Sequence, residues 1–134
     1  MADKAFSLEI RTPERLIFDD EVTSVRGPGN QGNFQVLAGH IPFLTVLEPG
    51  IIIVRSENTE RPMATSGGLF EVLPGGTTAL LDTAEWSDEI DPKRAESARE
   101  RAVNRLASRD KGVDITRAEA ALRRALVRIK VASR

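Results

Sequence analysis

Nine of the ten glycines and six of the seven prolines lie before residue 90. No other feature of this 134-residue chain constrains its fold as strongly. The residues that punctuate turns are crowded into the first two thirds, and the last third is left free to run as long helices. Charge divides at the same place. Residues 1–89 carry 6 Lys and Arg against 14 Asp and Glu, a net −8, while residues 90–134 carry 13 against 6, a net +7. The overall charge of −1 is therefore a cancellation between two unlike halves.

The first half has the patterning of short strands. Phe6, Leu8 and Ile10 alternate with Ser7, Glu9 and Arg11, the period of a half-buried strand, and Pro13 ends the run. Further strands are predicted at Arg15–Phe18, Val22–Arg26, Asn33–Leu37, Leu44–Leu47, Ile51–Arg55, Met63–Ser66, Leu69–Leu73 and Thr77–Asp82. Turn signals separate them at Gly27-Pro28-Gly29-Asn30, Pro49-Gly50, Ser66-Gly67-Gly68 and Pro74-Gly75-Gly76. Close, regular spacing of this kind predicts a sandwich or barrel. The β-branched run Ile51–Val54 predicts a central strand covered on both faces.

Little in this half carries chemistry. The chain has no cysteine, which removes disulfides, thiolate metal sites and cysteine nucleophiles. The segment Gly27–Gly32 is glycine-rich but lacks the Lys-Ser/Thr ending of a phosphate-cradling loop, so it reads as a turn. His40 is the single histidine and has no second ligand or acid beside it in the sequence, so it reads as a loop residue. A small stand-alone hydrolase is disfavoured on the same grounds. No apolar run approaches the roughly 20 residues of a bilayer span, and the N-terminus lacks a signal-peptide core, so a cytoplasmic protein is expected.

The second half predicts a helical hairpin. Asp91-Pro92 opens a helix over Pro92–Ser108, with Asp as N-cap and Pro at the first helical position. Ala95, Ala98, Ala102 and Leu106 share one face. Lys111-Gly112 ends the segment, and Asp114 or Thr116 caps a second helix, with Thr116 and Glu119 as a possible capping box. The apolar face of this helix is expected at Ile115, Ala118, Leu122, Ala125 or Leu126, and Ile129. The short link implies antiparallel neighbours. Alanine-rich seams bury little area, so the hairpin needs the sandwich, a partner or a ligand to fix its position.

Arginines are the distinctive residues of the hairpin. Arg94, Arg101 and Arg105 fall on one helical stripe, and Arg124 and Arg128 on another. Three readings fit them: a solvated charged face, an anion site closed by folding the hairpin, or contact with an acidic protein surface. A basic hairpin also raises a nucleic-acid-binding module as the alternative function. The acidic first half and the lack of stacking aromatics in the basic half speak against it.

Three ordered segments carry a family resemblance. Gly39-His40-Ile41-Pro42-Phe43-Leu44-Thr45, Ser66-Gly67-Gly68-Leu69-Phe70-Glu71-Val72 and Ile90-Asp91-Pro92-Lys93-Arg94-Ala95 resemble segments of the epsilon subunits of bacterial F-type ATP synthases (delta in mitochondrial naming). The resemblance spans essentially the whole chain. It implies an all-β sandwich over residues 1–87, followed by an antiparallel two-helix hairpin over 88–134. It implies a non-catalytic rotor subunit on the cytoplasmic face of the membrane, peripheral to it, whose partners are gamma, the c-ring and the alpha/beta catalytic subunits. The hairpin would switch between a form folded on the sandwich and an extended form that restrains ATP hydrolysis. No cofactor is required, and ATP is implied as a regulatory ligand. By residue-to-residue match its site would comprise Glu85, Ile90, Asp91, Arg94, Ala95, Arg101, Arg124 and Arg128, with no nucleophile or base for hydrolysis. Asn33 and His40 would lie in rotor docking. Two departures are Pro92, which lacks an N–H after Asp91, and Asn33, where an acidic residue is common. Trp86 is expected to plug the junction between sandwich and hairpin.

Overall fold

The computed structural model describes residues 4–108 and 112–134. Ten strands occur among them: β1 (Phe6–Arg11), β2 (Leu16–Val22), β3 (Ser24–Gly29), β4 (Gly32–Val36), β5 (Phe43–Leu47), β6 (Gly50–Ser56), β7 (Thr59–Thr65), β8 (Gly68–Leu73), β9 (Gly76–Leu81) and β10 (Ala84–Trp86). A 3-10 turn at Ser87–Glu89 leads to α1 (Pro92–Ser108) and α2 (Ile115–Ala132). This is the expected sandwich followed by two helices.

Hydrogen bonding links the strands in the order β10-β7-β6-β3-β5-β8-β9-β1-β2, with β4 paired to β3 alone. The path folds over at β3. Ser24–Arg26 pair with β6, whereas Gly29 pairs with Leu47 of β5, so one strand serves both layers. The pairs are antiparallel except β1 with β9, which is parallel. Between the layers lie fully buried side chains that include Leu8, Ile10, Ile52, Val54, Met63 and Phe70. Ile52 and Val54 face this core, and Ile51 packs on the helices, so β6 is covered on both faces as expected.

Several sequence expectations need correction. Val22 belongs to β2, and β3 runs on through Gly27-Pro28-Gly29, leaving only Asn30-Gln31 as the turn. The glycine at 27 serves close approach. A Cβ there would lie 2.8 Å from the Phe34 ring, which packs against Phe43 and Phe70 at centroid distances of 5.3 and 4.8 Å. Strand β7 starts at Thr59, four residues before the apolar signal at Met63, because Thr59–Arg61 are exposed polar residues that pair with β6 without an apolar alternation to mark them. Strand β10 was not expected, and it carries Trp86 into the sandwich core. There the indole meets Phe18 edge-on at 5.9 Å and lies under the Arg61 guanidinium at 3.8 Å. Trp86 is thus a sandwich residue and no plug against the hairpin.

The helices start where their caps place them. Asp91 Oδ1 accepts from the N–H groups of Lys93 (3.0 Å) and Arg94 (3.3 Å). Asp114 Oδ1 accepts from Arg117 N–H at 3.1 Å, so Asp114 is the cap and Thr116 lies inside α2. Lys111 lies outside the described residues. Ala95 and Ala102 are buried as anticipated. On α2 the buried residues are Ala118, Ala125 and Val131, while Ile115 and Leu126 are half exposed. Ala118 and Ala125 thus lie on the expected face, with Leu122 and Ile129 half-buried beside them, and Val131 adds a buried contact to the sandwich at Ala64.

A second, smaller core docks the hairpin. Ala64 of β7, Ile90, Ala95 of α1 and Val131 of α2 are buried together, with Ile51, Val127 and Ile129 packed around them. Ala95 opens α1 and Val131 closes α2, so the helices are antiparallel. Two ion pairs join α2 to the sandwich: Arg128 with Glu85, and Arg123 with Glu48 at 3.4 Å. The second is exposed and contributes about 0–1 kcal/mol.

Candidate functional site

The site is built from one consequence of the hairpin geometry. Arginines four apart lie on one helix face, and the antiparallel pairing turns the two arginine faces toward a common space. Arg101 and Arg105 of α1 and Arg124 and Arg128 of α2 line one cavity of about 390 Å³ between the helices and the sandwich. That volume lies within the range of small-molecule sites, roughly 300–1,000 Å³. Ala98, Ala102, Ala121 and Ala125 form its helical floor, and Ala64, Thr65, Ser66, Thr83 and Glu85 form the wall from the sandwich. Alanines leave the space open and let the arginine stems flank it.

Glu85 stands among four cations. Its Oε2 accepts from Arg128 Nη2 at 3.1 Å, and its Oε1 lies 2.8 Å from Arg128 Nε. Nε is buried, and its N–H is not aligned for a hydrogen bond with that oxygen or any other. The Nε contact is thus a close charge pair, enclosed within the wall of the cavity. Among the described residues, Arg101, Arg105 and Arg124 make no ion pair. Three unneutralised guanidiniums around one cavity repel each other unless an anion enters. On the sandwich wall Thr83 Oγ1 accepts from Ser66 N–H (3.1 Å) and donates to Ser66 Oγ (2.8 Å), which fixes a polar edge.

Glu85, Arg101, Arg124 and Arg128 are thus brought together, and the other expected residues are not. Ile90 and Ala95 are buried in the docking core, which shares Ala64 and Val127 with the cavity wall. Asp91 and Arg94 are exposed, and the Asp91 carboxylate caps α1. Asn33, on β4, lines a separate cleft. His40 sits in an exposed turn with its Nδ1 2.7 Å from the Ile41 carbonyl oxygen and its ring against Phe43. Arg105 joins the cavity although it was not carried over by resemblance; its signal was the spacing of four from Arg101. Ser66 and Thr83 are placed by the β10–β7 pairing, for which the sequence held no signal.

Removing Glu85 tests how the pair holds the hairpin. Glu85→Ala is expected to weaken docking by about 1–3 kcal/mol, because a half-buried guanidinium loses its acceptor. Arg128→Ala added to it is expected to cost less than the sum. A double-mutant cycle on hydrogen exchange of α2 amides measures both, and additivity would mean the pair contributes nothing.

Comparison with known proteins gives one family along the whole chain. Residues 5–87 match the family model of the ATP synthase delta/epsilon chain β-sandwich domain, and residues 88–133 match that of its long alpha-helix domain. The chain is 48% identical over 129 residues to the ATP synthase epsilon chain of Moorella thermoacetica, covering 96% of each. It is 47% identical over 134 residues to that of Syntrophobacter fumaroxidans, covering 100% of this chain and 99% of the relative. Among solved structures, a chain of the Euglena gracilis mitochondrial ATP synthase (OSCP/F1/c-ring) superposes with a TM-score of 0.84 at 27% identity, over 97% of this chain and 82% of that one. Sandwich, hairpin, order and length agree together, and the chain belongs to the ATP synthase delta/epsilon chain family.

Proposed function

We propose that this chain is a non-catalytic subunit of the central stalk of an F-type proton-translocating ATP synthase, on the cytoplasmic face of the membrane and peripheral to it. It docks through its sandwich onto gamma and the c-ring and restrains ATP hydrolysis by the alpha/beta head through its hairpin. The observation that carries this reading is the full-length agreement of both halves with one family. An exposed apolar face on the sandwich supports the docking role. Val46 of β5, Leu69 of β8 and Leu80 of β9 lie side by side in register, each 44–49% exposed, with Leu44 beside them at 65%. An apolar patch of this kind marks a protein contact.

The hairpin supports regulation because its contact with the sandwich is small and part ionic, the character of an element that can leave. Deleting residues 88–134 is expected to raise ATP hydrolysis by the assembled complex while leaving assembly intact. Unchanged hydrolysis would remove inhibition from the reading and leave the stalk role standing.

Regulatory ATP binding in the folded form is supported by the arginine cavity. Phosphates would meet Arg101, Arg124 and Arg128, with Glu85 beside them; Ile90, Asp91, Arg94 and Ala95, which the resemblance adds, lie at and just before the start of α1, outside the cavity lining. Calorimetric titration of the full chain with ATP tests it. Arg124 is exposed and free of ion pairing among the described residues, so Arg124→Ala is expected to lower affinity at least about tenfold without unfolding the hairpin. Asp91→Ala removes a helix cap as well and is read beside it. No heat with the unmodified chain would end the ATP reading.

A further inference from the structure

A second cleft, of about 660 Å³, lies on the other side of Val127 from the arginine cavity. Its helical wall is Val127 and Lys130, three apart on α2, with Arg134 just beyond the end of that helix. Its opposite wall is the β3–β4 hairpin, where Arg26 and Gln35 are paired and project from the face opposite the core. The floor is Ile51 and Ile53 of β6, and register places Ile53 directly beside Arg26. The lining holds three cationic side chains and no carboxylate side chain; Glu60 borders a smaller adjoining recess that shares Ile53 and Arg134 with the cleft. Among the described residues, Arg26, Lys130 and Arg134 make no ion pair, in a chain with 20 acidic residues. Cations left unneutralised over an apolar floor suit a ligand that supplies both complements. The floor is preformed, since β6 is held between β3 and β7 and the Phe34 ring is locked against Phe43 and Phe70.

We propose that this cleft binds an organic anion with an apolar body, seated on Ile51 and Ile53 with its charged group between Arg26 and Lys130. Because one wall is helix and the other is sheet, the occupant ties α2 to the sandwich. It stabilises the docked hairpin independently of the arginine cavity. The site does not rest on the ATP reading, and its residues other than Val127 are distinct from that cavity's.

The test is a fluorescence titration of the full chain with 8-anilinonaphthalene-1-sulfonate, an aromatic sulfonate, at low ionic strength. Arg26→Gln and Lys130→Gln, both at exposed positions, are each expected to weaken binding roughly three- to tenfold, and salt to weaken it further. Lys93→Gln, which removes the same charge from α1, leaves binding unchanged. The bound probe also slows tryptic cleavage within α2. Equal affinity in the Arg26→Gln/Lys130→Gln double variant overturns the proposal. So does loss of binding in Leu44→Ser/Leu80→Ser, which would put the probe on the exposed sheet face, or in Arg124→Gln, which would put it in the arginine cavity.

Discussion

Val131→Asp is expected to release the hairpin from the sandwich while the sandwich stays folded. Val131 is fully buried in the small docking core with Ala64, Ile90 and Ala95. The substitution removes about 2 kcal/mol of apolar burial and places an unpaired carboxylate there at a further cost of about 2 kcal/mol or more. An acid in the last turn of α2 also opposes the helix dipole. A loss on the order of 4 kcal/mol shifts the docked-to-free ratio about a thousandfold. No residue of the sandwich core depends on Val131, because the two buried clusters share no member. Hydrogen exchange should therefore lose protection across α2 and leave β1, β6 and β8 unchanged. Leu126→Asp, on the same helix but half exposed, should leave both sets protected. In the assembled enzyme, the freed hairpin is expected to depress ATP hydrolysis further, and deletion of residues 88–134 to reverse it. Hairpin amides as protected in Val131→Asp as in the parent would show that docking does not rest on this core.

The sequence carried the local signals of this fold well and the long-range ones poorly. Alternation at Phe6–Arg11 and the β-branched run at Ile51–Val54 are local, and both strands form there. The Asp91 and Asp114 caps are local too, and both helices start at them. Strand β10 exists because Thr65, Ala64 and Met63 lie across from Ala84–Trp86. That pairing is made by tertiary context, and three residues carry no periodicity of their own. The same holds for Ile115 and Leu126: their apolar character matched a helix face, but α2 spends its buried stripe on α1 and β7 together. At the candidate site, the spacings Arg101–Arg105 and Arg124–Arg128 were legible as stripes. The antiparallel hairpin that turns them onto one cavity was legible from its short link. The wall from Ser66, Thr83 and Glu85 was not, because it depends on how β10 meets β7.

Gly68→Ala is expected to produce the opposite pattern, a loss of the sandwich itself. Gly68 begins β8 and is paired on both sides, to Leu47 of β5 and to Leu81 of β9. A Cβ at this position would stand 2.1 Å from the Leu80 carbonyl oxygen and 2.9 Å from Leu81 Cα. Both obstacles are backbone held in the β8–β9 ladder, so neither can swing aside as a side chain could. The residue also has φ of +150°, outside what an alanine adopts without strain. Overpacking and backbone strain together are expected to cost on the order of 4 kcal/mol, a large share of the roughly 5–15 kcal/mol that holds a domain together. Thermal denaturation should then show a fall in Tm of about 15–30 °C. Gly75→Ala is the matched control, since a Cβ there meets nothing within 4 Å and its φ is not in the left-handed region. Its Tm should stay within a few degrees. The two outcomes separate position from residue type: a Tm for Gly68→Ala as high as for Gly75→Ala would mean that β8 and β9 can part without cost. In that case the face carrying Leu69 and Leu80 could not be the rigid docking platform proposed above. A selective loss for Gly68 ties that face to the β5-β8-β9 ladder, and separates it from the hairpin that Val131→Asp releases.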